Sequence, residues 1–284
     1  MIHDIKNATG AGVRKICATL SLPRSSYYHA SRPTPTQIDD VGLGDLITEI
    51  FNEHRARYGY RRIYQELADR GAPCAADRVR RLMAERGLKA LQPKTFTPTT
   101  SDGRADAPSP NLLADRPVPC RPNEVWAGDI TYVRVETGWI YLAVIIDLCT
   151  RKVVGWALAD HMRSDLVTDA LGQALGSSPT ARGTIFHSDR GSQYGSKAYR
   201  KALANAGIVQ SMSRRANPYD NAWTESFIGT LKNEMPNSCR FESEPDARSA
   251  TFEYIECYYN TLRKHSSISY KTPLQYEREL LSLN

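Results

Sequence analysis

No two cysteines in this chain are spaced to grip a metal together. The six (Cys17, Cys74, Cys120, Cys149, Cys239 and Cys257) all lie more than four residues apart. Neither C-x-x-C nor H-x₃₋₅-H occurs, which argues against a zinc site. Scattered single thiols suit a reducing compartment and read as small buried hydrophobes. Long apolar runs are equally scarce. The longest, "WIYLAVII" at 139–146, is far too short to span a bilayer. The opening "MIHDIKNATG" carries no signal-peptide apolar region. These absences lead us to expect a soluble cytoplasmic protein with no membrane partner. No internal repeat is evident, and no sustained heptads precede residue 123.

Basic charge is plentiful. The chain of 284 residues has a net charge of +6 and is 41% apolar, which suits a globular protein with polyanionic partners. Residues 55–94 alone hold eleven Lys/Arg against four Asp/Glu. Within them, "YGYRRIYQELADRG" places Ile63 and Leu67 on one helix face and Gly71 at its end. "AADRVRRLMAERG" buries Val79, Leu82 and Met83, leaves Arg78 and Arg81 on the opposite face, with Arg80 at the flank, and ends at Gly87. Such a face suits a DNA backbone or groove better than an ordinary solvated surface, and Arg61 and Arg62 extend it. Upstream, Val13, Ile16, Cys17 and Leu20 form one helical stripe. Ser21 and Pro23 then open a second short helix, giving a helix-turn-helix-like pair.

The organisation follows from changes in pattern. We expect a helix-turn-helix-like region over 1–35 and a basic helical DNA-binding domain over 36–95. A Pro-rich linker covers 96–122; residues 92–122 hold seven of the sixteen prolines. A strand-rich core fills 123–236 and a helical extension 237–284. In the core, three β-branched and aromatic runs are broken by "ETG" (136–138) and "DLCTR" (147–151), as in an antiparallel meander. A helix capped at Ser164 follows, then the strand "TIFHS", a helix capped by Ser196 and closed by Gly207, and the strand "IVQSMS". A last helix starts at Asp220 or Asn221, with Trp223, Phe227 and Leu231 on one face. The order β-β-β-α-β-α-β-α implies an α/β fold: a mixed sheet with helices on its faces.

Three acids occupy suggestive places in this core. Asp129 lies inside the first strand, in "WAGDITY", where an unpaired carboxylate would be costly. Asp189 ends the fourth strand, and Glu225 lies on the last helix, out of phase with its apolar stripe. If strands one and four are adjacent and parallel, Asp129 and Asp189 meet and the last helix lays Glu225 across them. Oxygen ligands without His or Cys suit Mg²⁺ or Mn²⁺, and two such ions can drive phosphodiester chemistry. Asp147 reads as a turn cap before Thr150. His187 either contacts the substrate or orients Asp189. Arg190, Arg214 and Arg215 flank the cleft and read as DNA-backbone contacts. Tyr254, Tyr258 and Tyr259 read as core.

Fifty-nine residues lie between Asp129 and Asp189, and thirty-five between Asp189 and Glu225. With "WxxDIT", "HSDRGSQY" and "NPYDNAWTESFIGTLKNE", the chain closely resembles the D,D(35)E integrase superfamily. More narrowly, it resembles second-reading-frame transposases of the bacterial IS3 insertion-sequence family. The resemblance runs nearly end to end, through "RVRRLMAERGL" and "YNTLRKHSSISYKTPLQY". It implies an RNase-H-like five-stranded core, two Mg²⁺ (or Mn²⁺) ions held by Asp129, Asp189 and Glu225, and DNA cleavage with strand transfer. It also implies a phosphate contact at Lys232, with His187 and Asn221 supporting the site. Gly128 stands where Thr is common in the family and Ala216 where Gly is common. The implied partners are double-stranded DNA (the element's inverted-repeat ends and the target), further copies of the chain, and an upstream-frame product. The implied route is copy-out, paste-in, in a nucleoid-associated protein. A catalytically silent DNA-binding regulator is the alternative. A tyrosine recombinase would need Arg and His clustered around one Tyr.

Overall fold

The computed structural model describes residues 2–24, 27, 35–91, 108–114, 116–178, 183–214, 221–236 and 239–282. Arg215, Ala216, Asp220, most of the short helix expected after Pro23 and residues 96–107 and 115 of the linker lie outside them. The chain forms two compact units, Met1–Ala90 and Leu91–Asn284. Among the described residues no helix is long and apolar enough to cross a membrane.

The first unit is helical. α1 (Ile2–Thr9) and α2 (Val13–Thr19) form a pair in which Ile16 and Cys17 are buried. α1 thus packs against α2 from the N-terminal side, and Ser21 after α2 takes a left-handed conformation with φ 53°. α3 (Pro35–Glu53), α4 (Tyr60–Asp69) and α5 (Ala76–Glu85) contact one another pairwise. Ile47, Ile50, Ile63, Leu67, Val79 and Leu82 are buried in this unit. Gly71 (φ +76°) and Gly87 (φ +67°) follow α4 and α5 in the left-handed region that glycine adopts without strain. The helical period of 36–54 is blurred by two glycines and a run of acids, so α3 is a finding of the structure.

The second unit is a mixed sheet with helices packed against it. β1 (Val125–Val135), β2 (Gly138–Asp147) and β3 (Val153–Ala159) form the expected meander. α6 (Ser164–Ser177) covers β2 and β3. Gly155 makes that approach possible: a Cβ there would lie 2.3 Å from the Ala170 carbonyl oxygen. β4 (Ile185–Ser188) pairs parallel with β1. A short helix α7 (Ser192–Gly195) precedes α8 (Lys197–Asn205), and β5 (Val209–Met212) pairs parallel with β4. Ser196 caps α8 as expected, accepting the Tyr199 N–H at 3.2 Å. The strand order is β3-β2-β1-β4-β5, the RNase-H-like arrangement. A sixth strand, β6 (Arg240–Phe241), joins β1; two residues are too few to show any period in sequence. Trp126, Phe186, Leu166, Tyr199 and Leu203 centre the main core.

α9 (Ala222–Glu234) lies against β1. Its buried side is Thr224, Phe227, Ile228, Leu231 and Glu234. Trp223 was expected in this stripe but is 42% exposed, with the Arg151 guanidinium 4.0 Å from its ring centroid. α10 (Glu244–Phe252) continues into a π-helix (Glu253–Tyr259) that buries Tyr254, Tyr258 and Tyr259 as expected. α11 (Pro273–Ser282) follows.

Candidate active site

The parallel ladder between β1 and β4 pairs Val125 with Ile185, Trp126 with Phe186 and Ala127 with His187. Asp129 and Asp189 each lie two residues beyond the last of these pairs. Neighbouring strands are about 4.8 Å apart, so the register places the two acids abreast, Asp129 within β1 and Asp189 just past the end of β4. β1 runs on past Asp129, whereas β4 stops at Ser188. Asp189 then opens a turn, its Oδ1 accepting the Gly191 N–H at 2.9 Å. A Cβ at Gly191 would lie 2.9 Å from that same oxygen, so the turn closes tightly over the acid. Asp189 thus ends the strand as a turn residue and still stands beside Asp129.

Electrostatics join the third acid to this pair. Asp129 is pushed up to about 7 by burial first, then by the charge of Asp189 and, more weakly, by Glu225. The Ile130 N–H, 2.8 Å from Asp129 Oδ1, and the Lys232 charge pull the other way. Asp129 retains some exposed surface. Glu225, in the first turn of α9, is half-buried and raised by burial. Lys232, in the last turn, projects two turns along from Glu225. The expected triad and its lysine therefore share one electrostatic neighbourhood.

Among the described residues, no three His, Cys, Asp or Glu side chains are gathered closely enough to hold one metal ion. The donor chemistry fits a hard cation all the same. The acids nearest Asp129 raise its carboxyl, and an Mg²⁺ or Mn²⁺ ion would supply the missing positive charge.

The flanking residues divide. His187 is buried, with Nδ1 2.8 Å from the Ser211 hydroxyl and Nε2 3.2 Å from that of Ser213. Those contacts tie β4 to the end of β5 directly beside Asp189. Arg190 donates to the Ser213 carbonyl at 2.8 Å, and Arg214 is exposed. Asn221 is buried at the start of α9, where its Oδ1 accepts the Thr224 hydroxyl at 2.5 Å. Asp147 caps its turn as expected, accepting the Cys149 N–H at 2.9 Å and the Thr150 N–H at 2.7 Å.

The arginine face of the first unit is largely paired within the unit. Arg78 meets Asp39 at 2.6 Å and Asp40 at 2.7 Å, and Arg81 meets Asp40 at 2.7 Å and Glu85 at 2.9 Å. These acids on α3 escaped notice because α3 itself did. Arg80 reaches only the exposed Asp77, at 3.1 Å. Arg61 is exposed beside Tyr60, and Arg62 stacks over Tyr58 with its guanidinium 5.6 Å from the ring centroid. Sequence reasoning also missed Glu234, buried beside Arg263 and Tyr254. Its signal was available: an acid in phase with Phe227 and Leu231 needs a buried partner.

Comparison with known proteins identifies the domains and the family. A family model for an integrase core domain matches residues 119–218, another integrase core model matches 206–273, and an HTH-like domain model matches 37–96. The transposase for insertion sequence element IS904 of Lactococcus lactis subsp. lactis (strain IL1403) is 41% identical over 247 residues, covering 87% of this chain and 98% of that relative. The transposase InsF for insertion sequence IS3A of Escherichia coli (strain K12) is 35% identical over 281 residues, 98% of each chain. Among solved structures, the HTLV-2 integrase catalytic core domain in complex with magnesium matches at 20% identity and a TM-score of 0.42, covering 55% of this chain and 97% of that one. By its end-to-end identity with these insertion-sequence proteins, the chain belongs to the IS3 family of transposases.

Proposed function

We propose that this protein is a DNA transposase that cuts and joins strands at the ends of its own insertion sequence. The observation that carries the reading is the electrostatic coupling of Asp129 to Asp189, Glu225 and Lys232. Asp129, Asp189 and Glu225 would hold two Mg²⁺ or Mn²⁺ ions. Bound there, the ions supply the positive charge that activates an attacking oxygen and stabilises a leaving one. Lys232, on the same helix as Glu225, holds a phosphate of the strand being cut. Arg190 and Arg214 contact the DNA backbone, and Arg215 adds a further positive charge. In the first step water breaks a P–O bond and leaves a free 3′-OH. In the second, that 3′-oxygen forms a new P–O bond to another phosphodiester, whose own 3′-oxygen leaves. The route is copy-out, paste-in, and the helices of 36–95 grip the inverted repeats through Arg61, Arg62 and Arg80. Copies of the chain, with or without an upstream-frame product, pair the two ends.

The test is strand joining by purified protein with Mn²⁺ or Mg²⁺ and DNA carrying the flanking inverted repeats, with Asp189→Asn alongside. The expected result is joined product from wild type and a loss of at least 10³-fold in the variant, in line with removal of a group that stabilises the transition state. Tight, salt-sensitive binding by both proteins with no joining, even after the upstream-frame product is added, would overturn the reading in favour of a silent regulator.

A further inference from the structure

The three acids stand on three elements, and only two of these are tied by main-chain bonds. β1 and β4 are locked by their ladder. α9 itself has no ladder; the main chain beyond it is tied to β1 only from Cys239 through β6, so side chains at the helix set its rotation over β1. The last residue of α9 is Glu234, and its side chain and that of Arg263 are each only 5% exposed. Arg263 grips it with two prongs: Nη2 donates to Oε1 and Nε to Oε2, each at 2.7 Å. The Tyr254 hydroxyl adds a third bond to Oε2 at 3.0 Å. Tyr254 lies in the π-helix and Arg263 just beyond it. The same segment is fastened to the edge strand of the sheet. Asn260 exchanges two bonds with the Val153 main chain, accepting its N–H at 3.0 Å and donating to its carbonyl at 3.0 Å. The segment therefore bridges β3 to the end of α9.

We propose that the Glu234–Arg263 pair is a positioning device for the catalytic site. Through it, the C-terminal segment holds α9 where Glu225 and Lys232 face Asp129 and Asp189. This rests on the reading of those acids as metal ligands. A buried ion pair is a poor source of net stability compared with apolar packing, but its two-pronged geometry fixes orientation. Lys232 lies only two residues before Glu234, so rotation of the helix end moves that side chain directly.

The experiment uses the full chain with Arg263→Lys, which keeps the charge and loses the fork, and Tyr254→Phe, which removes one hydroxyl. Val154→Ala, in the core under α6, serves as a control of comparable thermal destabilisation. Hydrogen exchange is measured for α9 against β2, Mn²⁺ binding without DNA, and the Mn²⁺ concentration for half-maximal strand joining. In Arg263→Lys, exchange in α9 should rise about tenfold or more relative to β2. Its Mn²⁺ requirement should rise about tenfold, with the rate at saturating Mn²⁺ largely kept. Tyr254→Phe should shift both the same way by less, and Val154→Ala should shift neither selectively. If Arg263→Lys does not fold, Tyr254→Phe decides against the same control. If the folded variants match Val154→Ala in both readouts, the pair is merely structural and the proposal falls. If wild type neither binds Mn²⁺ nor joins DNA, the metal-ligand reading fails, while α9 exchange still decides whether the pair holds the helix.

Discussion

A single carboxyl illustrates how the site stores its demand for a cation. Asp129 is raised from 3.8 to about 7 by burial, Asp189 and Glu225. An acid whose pKa rises on folding favours the fold when protonated. That contribution is complete below about pH 3.8 and is lost as pH climbs to about 7. Asp129→Asn should therefore match wild type near pH 4 and exceed it by about 1–3 kcal/mol at pH 7.5 without metal, as thermal or urea unfolding will show. Mn²⁺ should narrow that gap by stabilising wild type alone. Next to Asp129, Gly128 tells a steric story. A Cβ there would come within 2.5 Å of the Phe186 ring, so the glycine and the large ring belong together. Gly128→Ala should cost about 1–3 kcal/mol in urea unfolding, and Phe186→Leu in the same chain should recover part of it. The sequence proposed these acids from an Asp inside one strand, an Asp ending another, and a spacing like that of the integrase superfamily. The Gly128–Phe186 fit was not legible there, since it joins residues from separate strands.

Among the elements, those with a clean period were readable and those defined by partners were not. The β1–β2–β3 meander, α4, α5 and α8 follow alternation, stripe and cap. α3 presents its acids to arginines that lie about forty residues on, and such pairing leaves no local trace. The aromatic helix expected from near Asp246 is present, but its change to π-helical winding over Glu253–Tyr259 has no signature in the sequence period. Trp223 shows the converse error: an aromatic in helical phase that the fold leaves half in solvent against Arg151. Gly155 was likewise silent, though it sets how closely α6 approaches β3. Gly155→Ala should lower the midpoint of urea denaturation at unchanged slope, by about 1–3 kcal/mol, because the clash is with backbone and cannot be relieved by a rotamer.

For the whole molecule, the net charge of +6 overstates what the first unit offers a polyanion. Asp40 holds two guanidinium groups, and both arginines keep its carboxyl below the ordinary range. Asp40→Asn should loosen both, leaving Arg78 to Asp39 and Arg81 to Glu85. We expect nonspecific DNA affinity to rise severalfold at low salt, with a salt dependence steeper by about one to two charges, read by fluorescence anisotropy across a KCl series. Charge counting alone made the arginine face look free; the fold shows which part is already committed. The register of β1 on β4 has a consequence for how the chain tolerates changes in length. Each acid sits two residues beyond the Ala127–His187 pair, so their alignment depends on the count within the strands and not on the long path between them. An extra residue in the turn at 160–163 would be absorbed there. The same residue inserted between His187 and Asp189 would turn the acid to the opposite side of the sheet. Insertions and deletions should therefore be tolerated in that turn and eliminated from the few positions before Asp189.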